Sequence, residues 1–126
     1  MRKIILDTNF LLIPIQFKVD IFSEIERICL FKYNLFVLDK TIDELNTIIS
    51  RDSMKNKLAA KIALQLIKQK HVRVIKTKEG KVDDLILDLL DEGSILATQD
   101  AELRRKAHSK GAQLIVLRSK KHLMLK

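Results

Sequence analysis

The chain has 126 residues, which is typical of one domain around one core, so we expect a single domain over residues 1–126. Apolar residues make up 47% of it, which excludes a disordered chain, and no apolar run is long enough to cross a bilayer. The first residues lack a secretory apolar segment, and Cys29 is the only cysteine, so no intrachain disulfide is possible. We therefore expect a cytoplasmic protein with no membrane contact.

The net charge of +8 is unevenly distributed along the chain. Residues 53–81 carry nine basic residues and one acid, and residues 101–126 carry eight basic residues and one acid. Between them, residues 82–100 hold six acids and no Lys or Arg. A basic surface attracts polyanions, and acids embedded in it are expected where a divalent cation bridges protein and phosphate. The pattern therefore predicts contact with nucleic acid.

Strand-like and helix-like segments alternate along the chain. Strands are predicted from continuous runs rich in Ile, Val and Leu, and helices from apolar residues spaced three or four apart. In chain order the predicted elements are strand Lys3–Leu6, helix Phe17–Phe31, strand Leu35–Leu38, a helix starting at Thr41, helix Ser53–Lys70, strand Val72–Lys76, helix Val82–Leu90, strand Ile95–Ala97, helix Ala101–Lys110 and strand Gln113–Leu117.

This alternation predicts an α/β fold with three layers, α/β/α, around a central parallel five-stranded sheet. Ligands in such folds bind beyond the carboxyl ends of the strands. Acids recur at those ends: Asp7 follows the first strand, Asp39 the second and Asp100 the fourth. Asp7 and Asp100 could each serve only to cap the helix that follows, so neither is specific alone.

Two further acids lie on predicted helices. Glu44 fits a capping box with Thr41, but its angular position near the buried face would also let it reach over the sheet edge. In the next acidic pair, Asp83 falls at the edge of the buried face and Asp84 points nearly opposite. We therefore prefer Asp83 as a ligand, although both could be simple first-turn acids.

The order of these motifs resembles that of the PIN-domain nucleases, over nearly the whole chain. The matching segments are Asp7-Thr8-Asn9, Glu44 within Thr41–Leu45, Asp83 within Val82–Ile86, and Asp100 within Ala97–Asp100 with its Thr98. The segments Glu102–Arg105 and Leu114–Arg118 are similar to archaeal members related to ribosomal-RNA-processing PIN proteins. Gln99 stands where many members have Asn. No single motif is specific for this family, but the ordered set of four motifs is.

We accordingly predict a divalent-metal-dependent endoribonuclease that hydrolyses RNA with a four-carboxylate site. Asp7, Glu44, Asp83 and Asp100 are the predicted catalytic residues and ligands of Mg²⁺ or Mn²⁺, with Thr8, Asn9 and Thr98 as supporting residues. The resemblance implies products with a 5′-phosphate and a 3′-hydroxyl. Some relatives are toxins held by a protein antitoxin and others process ribosomal RNA, and small members often form dimers. An antitoxin and a homodimer are therefore candidate partners beside RNA.

Two alternatives belong to other classes of protein. A phosphatase with Asp7 as nucleophile usually needs a second Asp two residues later, where this chain has Asn9. A non-catalytic RNA-binding scaffold in ribosome assembly would need no metal and would leave RNA intact. Metal titration distinguishes the scaffold from the nuclease.

Overall fold

The computed structural model describes residues 1–126 and contains a six-stranded sheet in the order β3-β2-β1-β4-β5-β6. Neighbouring strands are parallel, except that β6 runs antiparallel to β5. The strands are β1 Arg2–Leu6, β2 Tyr33–Leu38, β3 Arg73–Ile75, β4 Ser94–Ala97, β5 Gln113–Arg118 and β6 His122–Leu125. All five predicted strands are confirmed, and one more is present.

Helices cover both faces of the sheet, which confirms the predicted three-layer arrangement. The helices are α1 Thr8–Leu11, α2 Ile13–Phe17, α3 Ile21–Ile28, α4 Asp39–Arg51, α5 Met54–Gln69, α6 Val82–Leu89 and α7 Ala101–Ser109. One apolar cluster joins alternate β1 residues, Ile4 and Leu6, to helices α1 to α5. The other joins Ile5 to α6 and α7. None of the helices combines the length and apolar character of a transmembrane span.

The prediction of five strands was wrong by one, because β6 was not recognised. This strand is short and only Leu123 in it is buried, so it shows no continuous apolar run. The turn before it contains neither glycine nor proline, although Ser119 and Lys120 both adopt positive φ angles of 54° and 56°. Glu24 of α3 fixes the strand by accepting a hydrogen bond from the Leu123 N–H at 2.9 Å.

The predicted helix over Phe17–Phe31 is confirmed only for Ile21–Ile28, and both of its predicted ends were wrong. Helix α2 ends at Phe17, and the next residue, Lys18, adopts a left-handed conformation with φ 56° and ψ 43°. Asp20 then caps α3 by accepting a hydrogen bond from the Ser23 N–H at 3.1 Å. The Asp20 cap is a local signal for the true start of α3, whose last residue is Ile28.

Candidate active site

Asp7 lies at the carboxyl end of β1, beside the carboxyl end of β4. Its backbone N–H donates to the Ala97 carbonyl at 2.9 Å, which ties the ends of the two strands together. The Asp7 side chain is only 5% exposed. One carboxylate oxygen accepts from the Thr8 N–H at 2.9 Å and caps α1, and the other accepts from the Thr98 hydroxyl at 2.7 Å. Asp7 therefore caps α1 and also reaches into the sheet edge.

The environment of Asp7 disfavours its negative charge. Burial is the largest cause and raises the pKa of Asp7 from 3.8 to about 6, although the hydrogen bonds from Thr98 and Thr8 oppose the shift. The negative charges of Asp83 and then Glu44 raise this pKa further. Both carboxylates therefore lie near enough to Asp7 to repel its charge. A cation placed among the three would relieve that repulsion.

Glu44 reaches the same edge from α4, and its interpretation as a capping-box residue is wrong. Helix α4 begins at Asp39, so Thr41 is a buried residue inside the first turn and not the N-cap. The actual N-cap, Leu38, has no capping side chain. Glu44 instead accepts a hydrogen bond from the Thr8 hydroxyl, 36 residues earlier in the chain. This contact positions the Glu44 carboxylate beside Asp7.

Asp39 lies at the end of β2 but has a separate role. Its carboxylate accepts hydrogen bonds from the Thr77 hydroxyl at 2.6 Å and the Thr77 N–H at 3.2 Å. These bonds, the Thr77 hydroxyl first, lower the pKa of Asp39 to about 2. Asp39 therefore fixes the segment that follows β3 and remains ionised as a structural group.

Asp83 and Asp84 occupy the first turn of α6, and the structure distinguishes them. Partial desolvation raises the pKa of Asp83, and the charges of Asp100 and Asp84 raise it further, while Lys106 lowers it. Asp83 is also one of the two charges that most strongly repel the charge of Asp7. Asp83 is thus the member of the pair that lies on the side of Asp7 and Asp100.

Asp100 caps α7 and joins the cluster through Asp83. Its carboxylate accepts from the Leu103 N–H at 3.1 Å, and its own N–H donates to the Thr98 hydroxyl oxygen at 3.1 Å. The predicted capping role is present, and its charge also acts on Asp83. We call Asp7, Glu44, Asp83 and Asp100 the carboxylate cluster. They form a chain of electrostatic neighbours along the carboxyl edge of the sheet.

Polar side chains beneath the cluster hold it in place. Thr98 is fully buried, and its hydroxyl lies 2.7 Å from Asp7 and 3.2 Å from the Asn9 side-chain oxygen. That Asn9 oxygen also accepts from the Gln99 N–H at 3.0 Å, and the Gln99 amide donates to the Asn9 carbonyl at 3.0 Å. Sequence reasoning did not assign Gln99 a supporting role, because its partner lies 90 residues away.

The cluster does not form a closed metal cage. No three His, Cys, Asp or Glu side chains are grouped closely enough to hold a metal ion together. Its donors are all carboxylate oxygens, however, and these are the ligands that Mg²⁺ and Mn²⁺ prefer. Mg²⁺ usually keeps several waters and takes only one or two protein carboxylates directly. The residues therefore fit a hydrated cation held partly through water.

Comparison with known protein families gives one match over most of the chain. A family model described as a PIN like domain matches residues 4–120. Ribonuclease VapC4 of Methanocaldococcus jannaschii is 31% identical over 124 residues, covering 97% of this chain and 95% of that protein. Ribonuclease VapC9 of Archaeoglobus fulgidus is 29% identical over 126 residues, covering 98% and 89%.

Solved structures share the fold at lower sequence identity. The PIN domain endonuclease Utp24 superposes with a TM-score of 0.79 and 20% identity, covering 98% of this chain and 90% of that one. A domain of a functionally unknown protein from Methanocaldococcus jannaschii gives a TM-score of 0.60 and 19% identity, covering 94% and 93%. These similarities establish the fold and not the activity.

Proposed function

Because this chain belongs to the PIN-like domain family, we propose that it is a divalent-metal-dependent endoribonuclease whose site is the carboxylate cluster. RNA is the proposed substrate because two relatives that span nearly the whole chain are named ribonucleases. The buried, lone Cys29 suits a reducing cytoplasm, where we place this activity. Binding of a protein antitoxin and formation of a homodimer remain predictions.

One observation supports the proposal most strongly: no member of the carboxylate cluster forms an ion pair within the protein, and Lys106 only partly offsets the charge of Asp83. The chain has 24 Lys and Arg residues, yet its ion pairs involve only Glu24, Asp39 and Glu102 among the acids. Asp7 is buried among like charges, which disfavours its ionised form unless a cation compensates. A chain so rich in basic side chains could have supplied a partner. We infer that the partner is a metal ion.

The proposed chemistry is hydrolysis of a phosphodiester bond. When bound, Mg²⁺ or Mn²⁺ supplies an activated water and neutralises charge on the phosphate. Asp7 and Asp83 would hold the cation most directly, with Glu44 and Asp100 acting directly or through water. The Thr98 hydroxyl orients the Asp7 carboxylate, Thr8 holds Glu44, and Asn9 links α1 to Gln99 after β4.

Basic side chains beside the cluster and on α5 would hold the RNA backbone. Lys106 of α7 is exposed and close enough to Asp83 to lower its pKa. On α5, Lys55, Lys61 and Lys68 are exposed. Their charges would attract phosphates independently of sequence and would weaken binding as salt rises. The bound strand would then pass the carboxylate cluster.

The test is cleavage of end-labelled RNA with Mg²⁺ or Mn²⁺ and with EDTA. We expect cutting only with metal, and a loss of about 100-fold or more in Asp7→Asn. Asp88→Asn is the matched control, because Asp88 is an exposed acid on α6 with no hydrogen-bond or ion-pair partner. Undiminished cutting by Asp7→Asn, or cutting that ignores EDTA, would overturn the proposal.

A non-catalytic RNA-binding scaffold is the second candidate, and the absence of a closed metal cage favours it. Such a scaffold would bind RNA equally with Mg²⁺ and with EDTA and would leave it intact. The same cleavage assay, paired with a gel-shift measurement, therefore separates the two functions.

A further inference from the structure

An open pocket of about 440 Å³ adjoins the carboxylate cluster and has no role in the chemistry described above. It shares Glu44 with the cluster, is also lined by Thr8, and includes further residues of α4 from Lys40 to Ile48. A strand whose phosphate lies at the cluster would therefore place a neighbouring nucleotide in this pocket. The volume falls in the range that accommodates small-molecule ligands.

Two walls of the pocket suit the flat face of a base. Ile48 of α4 and Val82 of α6 are its apolar lining residues, and both are partly exposed. Gly80 presents backbone without a side chain, and its φ of 152° disfavours any other residue. Single-stranded RNA is commonly recognised by bases that leave the stack and pack against protein. The volume and the apolar lining residues of the pocket suit one such base.

The polar groups of the pocket offer acceptors and few free donors. The Thr8 hydroxyl donates to Glu44, and the Thr47 hydroxyl donates to the Asp43 carbonyl at 3.1 Å, so both hydroxyl protons are already used. Lys40 forms an ion pair with Asp39 at 3.6 Å and is the remaining donor of the pocket, since an ammonium carries three N–H groups. The Asp43 carboxylate lines the pocket and has no hydrogen-bond or ion-pair partner in the chain. An ionised carboxylate can only accept hydrogen bonds.

We propose that this pocket binds a guanine base of the RNA, recognised by the Asp43 carboxylate; this rests on the proposed function. Guanine presents two adjacent donors on its Watson–Crick edge, the ring N–H and the exocyclic amine, and a carboxylate accepts from both at once. Adenine and cytosine present a single donor beside an acceptor, and uracil presents one donor between two acceptors. With each of these three bases, either an acceptor of the base faces the Asp43 carboxylate or one carboxylate oxygen receives no hydrogen bond.

The test measures binding separately from cleavage. Fluorescent oligouridines with one central G, inosine, A or C are titrated with the protein in EDTA, and the anisotropy gives each dissociation constant. Because the phosphates are identical, differences report the base. We expect the G oligonucleotide to bind about tenfold more tightly than the A one, with inosine weaker than G because it lacks the exocyclic amine.

Asp43→Asn is the informative variant, because it keeps the shape and replaces one acceptor oxygen with a donor. It should abolish the preference for G, while Asp88→Asn should keep it. Equal binding of all four oligonucleotides, or a G preference that survives in Asp43→Asn, would overturn the assignment. Cleavage of the same oligonucleotides with Mn²⁺ is measured in parallel. If nothing is cut, the nuclease proposal fails, and the anisotropy data still decide the role of the pocket.

Discussion

Replacing Asp7 with Asn should stabilise the metal-free protein at neutral pH. Burial raises the pKa of Asp7 from 3.8 to about 6, so the folded protein binds this proton more tightly than the unfolded chain does. The contribution of Asp7 to the free energy of unfolding is therefore greatest below about pH 4 and is lost as the pH rises through about 6. At about 1.4 kcal/mol per pH unit, the loss at pH 7.5 is roughly 3 kcal/mol.

The Asn side chain can satisfy the same hydrogen bonds without the charge. Its oxygen can accept from the Thr8 N–H as the Asp7 oxygen does at 2.9 Å. Its amide can donate to the Thr98 hydroxyl oxygen, whose proton then turns to the Asn9 oxygen at 3.2 Å. No buried polar group is left without a partner, so the electrostatic gain should appear nearly in full.

The assay is urea denaturation in EDTA at pH values from 4 to 8. The free energy of unfolding of Asp7→Asn should exceed that of the wild type by up to about 3 kcal/mol at pH 7.5, and the difference should fall to about 0.5 kcal/mol at pH 4. Asp88→Asn should stay within about 0.5 kcal/mol of the wild type throughout. If Asp7→Asn is no more stable at pH 7.5, or if its advantage does not depend on pH, the reasoning about the buried charge is refuted.

Substitutions at four further positions test other parts of the structure. His71 follows α5 in a left-handed conformation with φ 56°, so His71→Gly should raise the free energy of unfolding by about 0.5–1 kcal/mol. Gly111 follows α7 with φ 84°, so Gly111→Ala should lower the free energy of unfolding. A stabilising Gly111→Ala would contradict this reasoning. The buried Thr41 hydroxyl has no partner, so Thr41→Val should stabilise the protein by about 1 kcal/mol in urea denaturation and Thr41→Ser should not. The hydrogen bond from the Thr98 hydroxyl lowers the pKa of Asp7. Thr98→Val should therefore shift the acidic side of the pH profile of cleavage to higher pH, while Thr98→Ser should leave the profile unchanged. If the profile of Thr98→Val does not shift, Asp7 is not the group whose protonation limits cleavage at low pH.

The central sheet was predictable because its strands are buried on both faces. Burial on both faces requires apolar residues at successive positions, so continuous apolar runs such as Ile4–Leu6 and Ile95–Ala97 indicate these strands in the sequence. The edge strand β6 was not predictable in this way, since only Leu123 in it is buried. The position of β6 depends on a tertiary contact between Leu123 and Glu24, which are 99 residues apart. A local sequence pattern does not indicate such a contact.

The candidate site was predictable where the chain geometry alone brings residues together. Parallel strands end at one edge, and that rule placed Asp7 and Thr98 at the same edge, where the structure shows a hydrogen bond between them. The start of α4 was misplaced because its N-cap, Leu38, is not a capping residue. That error concealed the real partner of Glu44, the Thr8 hydroxyl. The ligand roles of the carboxylate cluster stay predictions.

Binding of Mn²⁺ tests most directly the claim that distant carboxylates jointly hold one cation. Titration of the RNA-free protein, followed by the electron paramagnetic resonance signal of free Mn²⁺, should show a site that weakens about tenfold or more when Asp7, Glu44, Asp83 or Asp100 is neutralised singly. Asp88→Asn should bind as the wild type does. Mn²⁺ affinity that is unchanged in all four single variants would contradict the account.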